Sequence, residues 1–155
     1  MKIEFLFIGK TREIYLAQGI DDYCKRLQRY VNAEIKTIKT SIRSNSSPEV
    51  LKLEEGKALL ARLEKQSYMI ALDPGGKTLT SEDLARDITN LESQGRRSLS
   101  FIIGGELGLA QDVLAQADYV LSLSKMTFTH EMARMILLEQ VYRAYTIKAG
   151  TNYHK

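Results

Sequence analysis

The chain has 155 residues, of which 44% are hydrophobic and 26% are charged, which is ordinary for one globular domain spanning residues 1–155. Its net charge of +3 does not by itself indicate nucleic-acid binding. No apolar run approaches the roughly 18 residues of a membrane span, and no signal peptide is expected. The lone Cys24 excludes an internal disulfide, and no Cys/His cluster suggests a metal. We therefore expect a cytoplasmic protein that has no membrane-spanning segment and binds no metal ion.

Strands and helices alternate along the first half of the sequence. Lys2 to Ile8 and Ala33 to Thr40 are predicted strands, and the segment between them has helical spacing of apolar residues from Tyr15 to Tyr30. Ser47 is predicted to cap a second helix that begins at Pro48 and ends near residue 64.

The alternation continues through the second half. In chain order the sequence predicts a strand at Tyr68 to Leu72, a helix from Thr80 or Ser81 to about Gly95, a strand at Leu99 to Ile103, a helix at Ala110 to Gln116, a strand at Tyr119 to Leu123 and a helix at Glu131 to Lys148. Residues 73–76 are predicted to form a tight turn. The apolar side of the last helix is predicted to comprise Met132, Met135, Ile136, Leu138, Val141 and Tyr142. This order indicates an α/β fold, a mostly parallel sheet of about five strands with helices on both faces.

A glycine turn, Gly104 to Gly108, follows the strand that ends at Ile103. Its GGxxG pattern differs from the G-x-G-x-x-G of dinucleotide-binding proteins and occurs late in the chain. A P-loop ending at Gly76-Lys77-Thr78 is also disfavoured, because Ala71 stands where that motif requires glycine. The glycines are consistent either with a simple turn or with a backbone that approaches a ligand closely.

Basic residues are concentrated towards the end of the chain. From residue 121 onwards two acids, Glu131 and Glu139, accompany five basic residues. The five are Lys125, Arg134, Arg143, Lys148 and Lys155. They predict a basic face that could attract phosphates, although a solvated helix surface explains the pattern equally well.

Residue types that carry hydrolytic chemistry are scarce. The sequence has no G-x-S-x-G elbow, no H-E-x-x-H motif and only two histidines. A reaction that depends mainly on positioning, such as methyl transfer from a sulfonium donor, fits this inventory better. The loop from Leu123 to Phe128 mixes apolar side chains with hydroxyls and could hold a purine.

Four segments together resemble the RlmH family, the bacterial large-subunit ribosomal RNA methyltransferases H of the SPOUT superfamily. They are FIIGGELGL, LSLSKMTFTHEMAR, LLEQVYRAYTI and the final YHK. The resemblance implies a deep trefoil knot near the C-terminus, a homodimer and S-adenosylmethionine as cofactor. It also implies a substrate, 23S rRNA in the assembled ribosome, methylated on ring nitrogen 3 of a pseudouridine.

The resemblance also implies roles for particular residues. The cofactor positions are Leu72, Gly104, Leu123, Ser124, Lys125, Met126, Thr127 and Phe128. Arg143, Tyr153 and His154 match positions that handle the substrate, and His154 is the candidate base or substrate positioner. Two alternatives remain open: a non-catalytic ribosome- or RNA-binding module, and a related methyltransferase that acts on tRNA.

Overall fold

The computed structural model describes residues 1–40 and 46–154, without the side chain of residue 154. Five strands and five α-helices alternate, followed by a short 3₁₀ helix at Asn152–His154. The strands are β1 (Lys2–Ile8), β2 (Asn32–Ile38), β3 (Tyr68–Thr78), β4 (Ser98–Ile103) and β5 (Tyr119–Ser122). The helices are α1 (Ile14–Leu27), α2 (Pro48–Arg62), α3 (Ser81–Ser93), α4 (Gln111–Gln116) and α5 (His130–Lys148).

All strand pairings in the sheet are parallel, and the strand order is β2-β1-β4-β3-β5. Residues of β1 alternate between two cores: Phe5 and Phe7 face one core, and Leu6 faces the other. The first core packs against α1, α3 and α5, and the second packs against α2 and α4. The predicted parallel α/β sheet with helices on both faces is therefore confirmed, while the knotted path stays a prediction.

Local signals account for the starts of α2 and α3. The Ser47 side chain accepts a hydrogen bond from the backbone of Val50, with Pro48 in the first turn of α2. Thr80 and Asp83 form a reciprocal capping box at the start of α3. Each cap satisfies backbone N–H groups that otherwise lack a partner within the helix.

The strand β3 continues beyond the predicted turn. It runs to Thr78 and pairs with β5 on both sides of an irregularity between Leu72 and Lys77. Gly76 permits this path, since a Cβ there would lie 2.6 Å from the carbonyl oxygen of Val120. The turn residues thus interrupt the register of the strand without ending it.

The prediction for the apolar side of α5 was partly wrong. Leu138 and Val141 are buried as expected, but Met132, Met135, Ile136 and Tyr142 are only partly buried. The rest of the buried face consists of Glu131, Arg134, Leu137, Ala144, Tyr145 and Thr146. Contacts with α1, α3 and β4 on either side of α5 select this face.

The predicted basic face near the C-terminus was wrong for one of its cations, and two others are paired with carboxylates. Arg134 is fully buried. Arg143 pairs with Glu139, and Lys148 pairs with Glu92. Only Lys125 is exposed with no ion pair among the described residues, and Lys155 lies outside them.

Candidate active site

A cavity of about 290 Å³ opens where β3, β4 and β5 end. In parallel sheets this carboxyl edge is where ligands commonly bind, because the loops after neighbouring strands converge there. Leu72 contributes from β3, the glycine turn follows β4, and the loop 123–128 follows β5. The start of α5 closes the cavity through His130 and Ala133.

The glycine turn is closely packed against itself. The N–H of Gly108 donates to the carbonyl of Gly105 across 3.1 Å, and Gly108 has a φ of +76°, which favours glycine. A Cβ on Gly104 would lie 2.5 Å from the carbonyl oxygen of Gly108. The turn therefore requires glycine at position 104 to keep the shape of the cavity wall.

Two serine hydrogen bonds shape the loop after β5. The hydroxyl of Ser122 donates to the carbonyl of Ser124 across 2.9 Å, and the hydroxyl of Ser124 accepts from the N–H of Met126 across 3.0 Å. These bonds fold residues 123–128 back over the cavity, with Met126 and Phe128 exposed on its rim.

Seven of the eight cofactor candidates line the cavity. They are Leu72, Gly104, Leu123, Ser124, Met126, Thr127 and Phe128. The side chain of Lys125 is exposed, and the residue does not line the cavity. The structure thus gathers most of the set and places Lys125 on the outside of the loop.

The cavity carries negative charge. Asp73 and Glu106 line it, and none of the described residues around it is a lysine or an arginine. Asp73 is held in place because its Oδ1 accepts from the N–H of Gly75 across 2.8 Å. Burial, assisted by the nearby charge of Arg134, lowers the pKa of His130. His130 therefore adds no positive charge to the cavity at neutral pH.

Sequence reasoning had not selected several of these residues. Asp73, Glu106 and His130 line the cavity although none was among the predicted site residues. A signal existed in each case: each of the three residues follows a predicted strand directly or within a short loop, at the edge where ligands bind.

Two of the predicted substrate-handling residues, Arg143 and Tyr153, form a separate cluster near the end of α5. Tyr153 donates a hydrogen bond to Oε1 of Glu139 across 3.1 Å, and its hydroxyl lies 3.3 Å from that of Tyr23. The guanidinium of Arg143 lies 4.9 Å from the centroid of the Tyr153 ring and also bonds Glu139. Tyr142 packs against the same ring with centroids 4.8 Å apart.

The electrostatics of this cluster limit what Tyr153 can do. Burial and the hydrogen bond with Tyr23 raise the pKa of Tyr153. The phenol thus stays protonated at neutral pH, where it can donate a hydrogen bond and present its ring, but cannot act as a base. Hydrogen bonding to Glu139 raises the pKa of Arg143 and keeps it charged.

The cluster and the cavity do not meet within one chain. Residues 130 and 143 are thirteen positions apart on α5, which at 1.5 Å per residue separates them by about 20 Å. The side chain of His154 lies outside the described residues, so its position relative to the cavity stays a prediction. Arg143 and Tyr153 therefore lie near one end of α5, and the cavity lies at the other end.

Across residues 1–40 and 46–154, no helix is long and apolar enough to cross a membrane. Within the same described part of the chain, no group of three or more His, Cys, Asp or Glu residues could hold a metal ion.

Comparison with known proteins places this arrangement in a family. A family model described as "Predicted SPOUT methyltransferase" matches residues 1–154. Proteins named "Ribosomal RNA large subunit methyltransferase H" are similar over the full length of both chains, with 47% identity in Desulfotalea psychrophila and 48% in Halothermothrix orenii.

Solved structures share the fold at low sequence identity. A probable methylase family protein from Haemophilus influenzae has a TM-score of 0.57 at 11% identity, covering 99% of this chain and 70% of that one. A probable methyltransferase from Bordetella pertussis has a TM-score of 0.57 at 14% identity, with 93% and 96% covered. The full-length matches in sequence show that the chain belongs to the SPOUT methyltransferase family.

Proposed function

We propose that the protein is a cytoplasmic S-adenosylmethionine-dependent methyltransferase that methylates ring nitrogen 3 of a pseudouridine in 23S rRNA of the assembled ribosome. The observation that carries the proposal is the cavity at the ends of β3, β4 and β5, in a chain 47% identical to proteins named large-subunit ribosomal RNA methyltransferase H. The nitrogen, the pseudouridine and the cofactor follow from the resemblance to that family.

The residues present fit this cofactor. A volume of about 290 Å³ is close to the lower end of the roughly 300–1,000 Å³ found for small-molecule sites. Leu72, Leu123 and Phe128 offer apolar surface for an adenine. The missing Cβ of Gly104 lets the backbone of Gly108 pack against it, so that backbone atoms form this part of the cavity wall. Asp73 and Glu106 match a positively charged sulfonium better than a phosphate. When bound, the cofactor supplies an activated methyl group.

The chain's own contribution is largely positional. The glycine turn and the loop 123–128 exclude water from the cavity and fix one reactant, which lowers the entropic part of the barrier. His154 is the proposed acceptor of the proton that leaves ring nitrogen 3, or a group that positions the substrate. Arg143 is charged and Tyr153 presents a ring, so they suit an RNA phosphate and a stacked base.

A homodimer would bring the two ends of α5 together. Because about 20 Å separates the cavity from the Arg143–Tyr153 cluster in one chain, we propose that the tail of one subunit completes the cavity of its partner. The predicted apolar side of α5, with Met132, Met135 and Ile136 only partly buried, and the exposed Ile14 and Tyr15 at the start of α1 provide apolar surface for such an interface.

Labelled methyl transfer tests the function directly. The protein is incubated with labelled S-adenosylmethionine and intact ribosomes, free rRNA or tRNA, and the product nucleosides are separated. Label in 3-methylpseudouridine from ribosomes supports the proposal. Label mainly in tRNA would indicate the related tRNA enzyme. No label together with no calorimetric binding of the cofactor would indicate a non-catalytic RNA-binding module.

A further inference from the structure

The loop between β1 and α1, residues 9–13, is hydrogen-bonded to side chains in the first turns of α5. Both carboxylate oxygens of Glu131 accept backbone hydrogen bonds, from Arg12 N at 2.9 Å and Glu13 N at 3.0 Å. The guanidinium of Arg134 donates to the carbonyl of Gly9 at 3.2 Å and to the hydroxyl of Thr11 at 3.1 Å. We call residues 9–13 the β1–α1 loop.

Holding the loop in this way carries an energetic penalty. Arg134 is fully buried, its Nε has no hydrogen-bond partner among the described residues, and burial lowers its pKa. A further bond to the carbonyl of Ile8 and a position 5.0 Å from the centroid of the Phe7 ring offset part of that cost. An apolar residue at position 134 would enlarge the hydrophobic core but could not bond the loop. The buried arginine instead stabilises one conformation of the loop.

The held loop presents two free cations. Lys10 and Arg12 are exposed, and neither forms an ion pair with any described residue. Glu13 is the one acid in the loop, and its side chain is also exposed. Arg143 and Lys148, in contrast, are paired with neighbouring carboxylates.

The loop lies beside the cavity. Phe7 of β1 pairs with Ile103 of β4, and the glycine turn follows Ile103 directly. The backbone of Arg12 is bonded to Glu131, the residue after His130, which lines the cavity. Burial is the main cause of the lowered pKa of His130, and the charge of Arg12 adds to it. The β1–α1 loop is therefore attached to the part of α5 that closes the cavity.

The geometry points to the β1–α1 loop as an RNA-backbone contact, in which Lys10 and Arg12 bind phosphates of the ribosomal RNA beside the target nucleotide. Glu131 and Arg134 are positioning residues, because they fix the loop without touching the RNA. A loop that is ordered before binding loses less conformational entropy when the complex forms. The inference rests on the proposed RNA substrate and adds a recognition surface to it.

The test removes the two charges without touching the cavity. The K10Q/R12Q variant is compared with the wild type and with a control variant, R62Q/K65Q. The control removes one arginine and one lysine just before β3, where the amino ends of the strands lie, away from the cavity at their carboxyl ends. Arg62 and Lys65 are exposed and form no ion pair with the described residues, so they are a matched control. Binding to large ribosomal subunits is measured between 50 and 200 mM salt, and cofactor affinity is measured by calorimetry.

For K10Q/R12Q we expect binding to large subunits to weaken by about tenfold at the lower salt, and the slope of log K against log salt to become shallower by about 1 to 2. Cofactor affinity should be unchanged, and R62Q/K65Q should bind like the wild type. Equal losses in both variants, or no loss in K10Q/R12Q, would overturn the inference. So would a wild type that does not bind ribosomal subunits.

The proposed function can fail separately. A wild type that binds subunits but transfers no methyl group contradicts the methyltransferase activity, while the salt dependence of K10Q/R12Q still decides the role of the loop. If K10Q/R12Q transfers methyl groups normally and binds large subunits as the wild type does, the proposed methyltransferase activity stands and the proposed loop contact is contradicted.

Discussion

Tyr153 is docked on α5 by a hydrogen bond to Glu139, with 3.1 Å between the phenol oxygen and Oε1. The Tyr153→Phe variant loses this bond and the one shared with Tyr23, but keeps the ring against Arg143. We expect the free energy of unfolding to fall by about 1 to 2 kcal/mol, since two bonds are lost and each contributes about 1 kcal/mol net.

Urea titration measures this loss. Tyr30→Phe is the matched control, because the Tyr30 ring packs on Tyr142 while its hydroxyl makes no hydrogen bond with the described residues. Comparable losses in both variants would show that the bond to Glu139 contributes little.

In the glycine turn, alanine substitutions at two neighbouring positions are expected to have different effects on cofactor binding. In Gly104→Ala the new Cβ meets the backbone of Gly108, whereas in Gly105→Ala it meets the carboxylate of Glu55, which ends a flexible side chain. We expect Gly104→Ala to weaken S-adenosylmethionine binding by at least about tenfold and Gly105→Ala to have a smaller effect. Calorimetry decides, and the same affinity in both variants would contradict a role for the tight turn.

The position of Lys125 predicts that it can be dispensed with for cofactor binding. Its side chain does not line the cavity, while Leu123 does. Lys125→Ala should leave the cofactor dissociation constant within about twofold, whereas Leu123→Ala should raise it by about tenfold, because it removes apolar contact area. A large loss in Lys125→Ala would show that the loop rearranges when the cofactor binds.

His130 predicts a pH dependence of stability. Burial lowers its pKa from the ordinary value of 6.5, so the unfolded chain takes up a proton at higher pH than the folded one. The folded state is therefore favoured above pH 6.5 and loses stability as pH falls below it. We expect His130→Gln to remove this part of the loss.

The measurement compares urea unfolding of the wild type and His130→Gln at several pH values between 7.5 and 5. The difference between the two free energies should change in that interval, in the direction of relative stabilisation of the variant at low pH. A difference independent of pH would contradict the burial of the imidazole.

Much of the fold could be predicted because apolar runs mark buried parallel strands. The predicted strand at Leu99 to Ile103 starts within one residue of β4. The continuation of β3 to Thr78 could not be predicted, since Asp73, Pro74 and Gly75 are typical of turns. Its pairing with β5 depends on a contact between segments more than 40 residues apart.

The candidate site was less predictable than the fold. Most cofactor positions came from resemblance, and hydrophobicity alone would never have placed Arg134 inside the protein. Its burial depends on carbonyl groups of Ile8 and Gly9, which are 125 or more positions away in sequence. Such long-range polar contacts leave no periodic signal in the sequence.

The length of α5 has a consequence for how defective subunits behave together. Suppose that one subunit's tail serves the other subunit's cavity. A Gly104→Ala chain then has a defective cavity but a usable tail, and a chain without its tail still has a usable cavity. Mixing Gly104→Ala chains with chains truncated after residue 150 should then restore one working centre in each mixed dimer. With random assortment, about a quarter of the normal activity should return when the cofactor concentration is too low to fill the Gly104→Ala cavity.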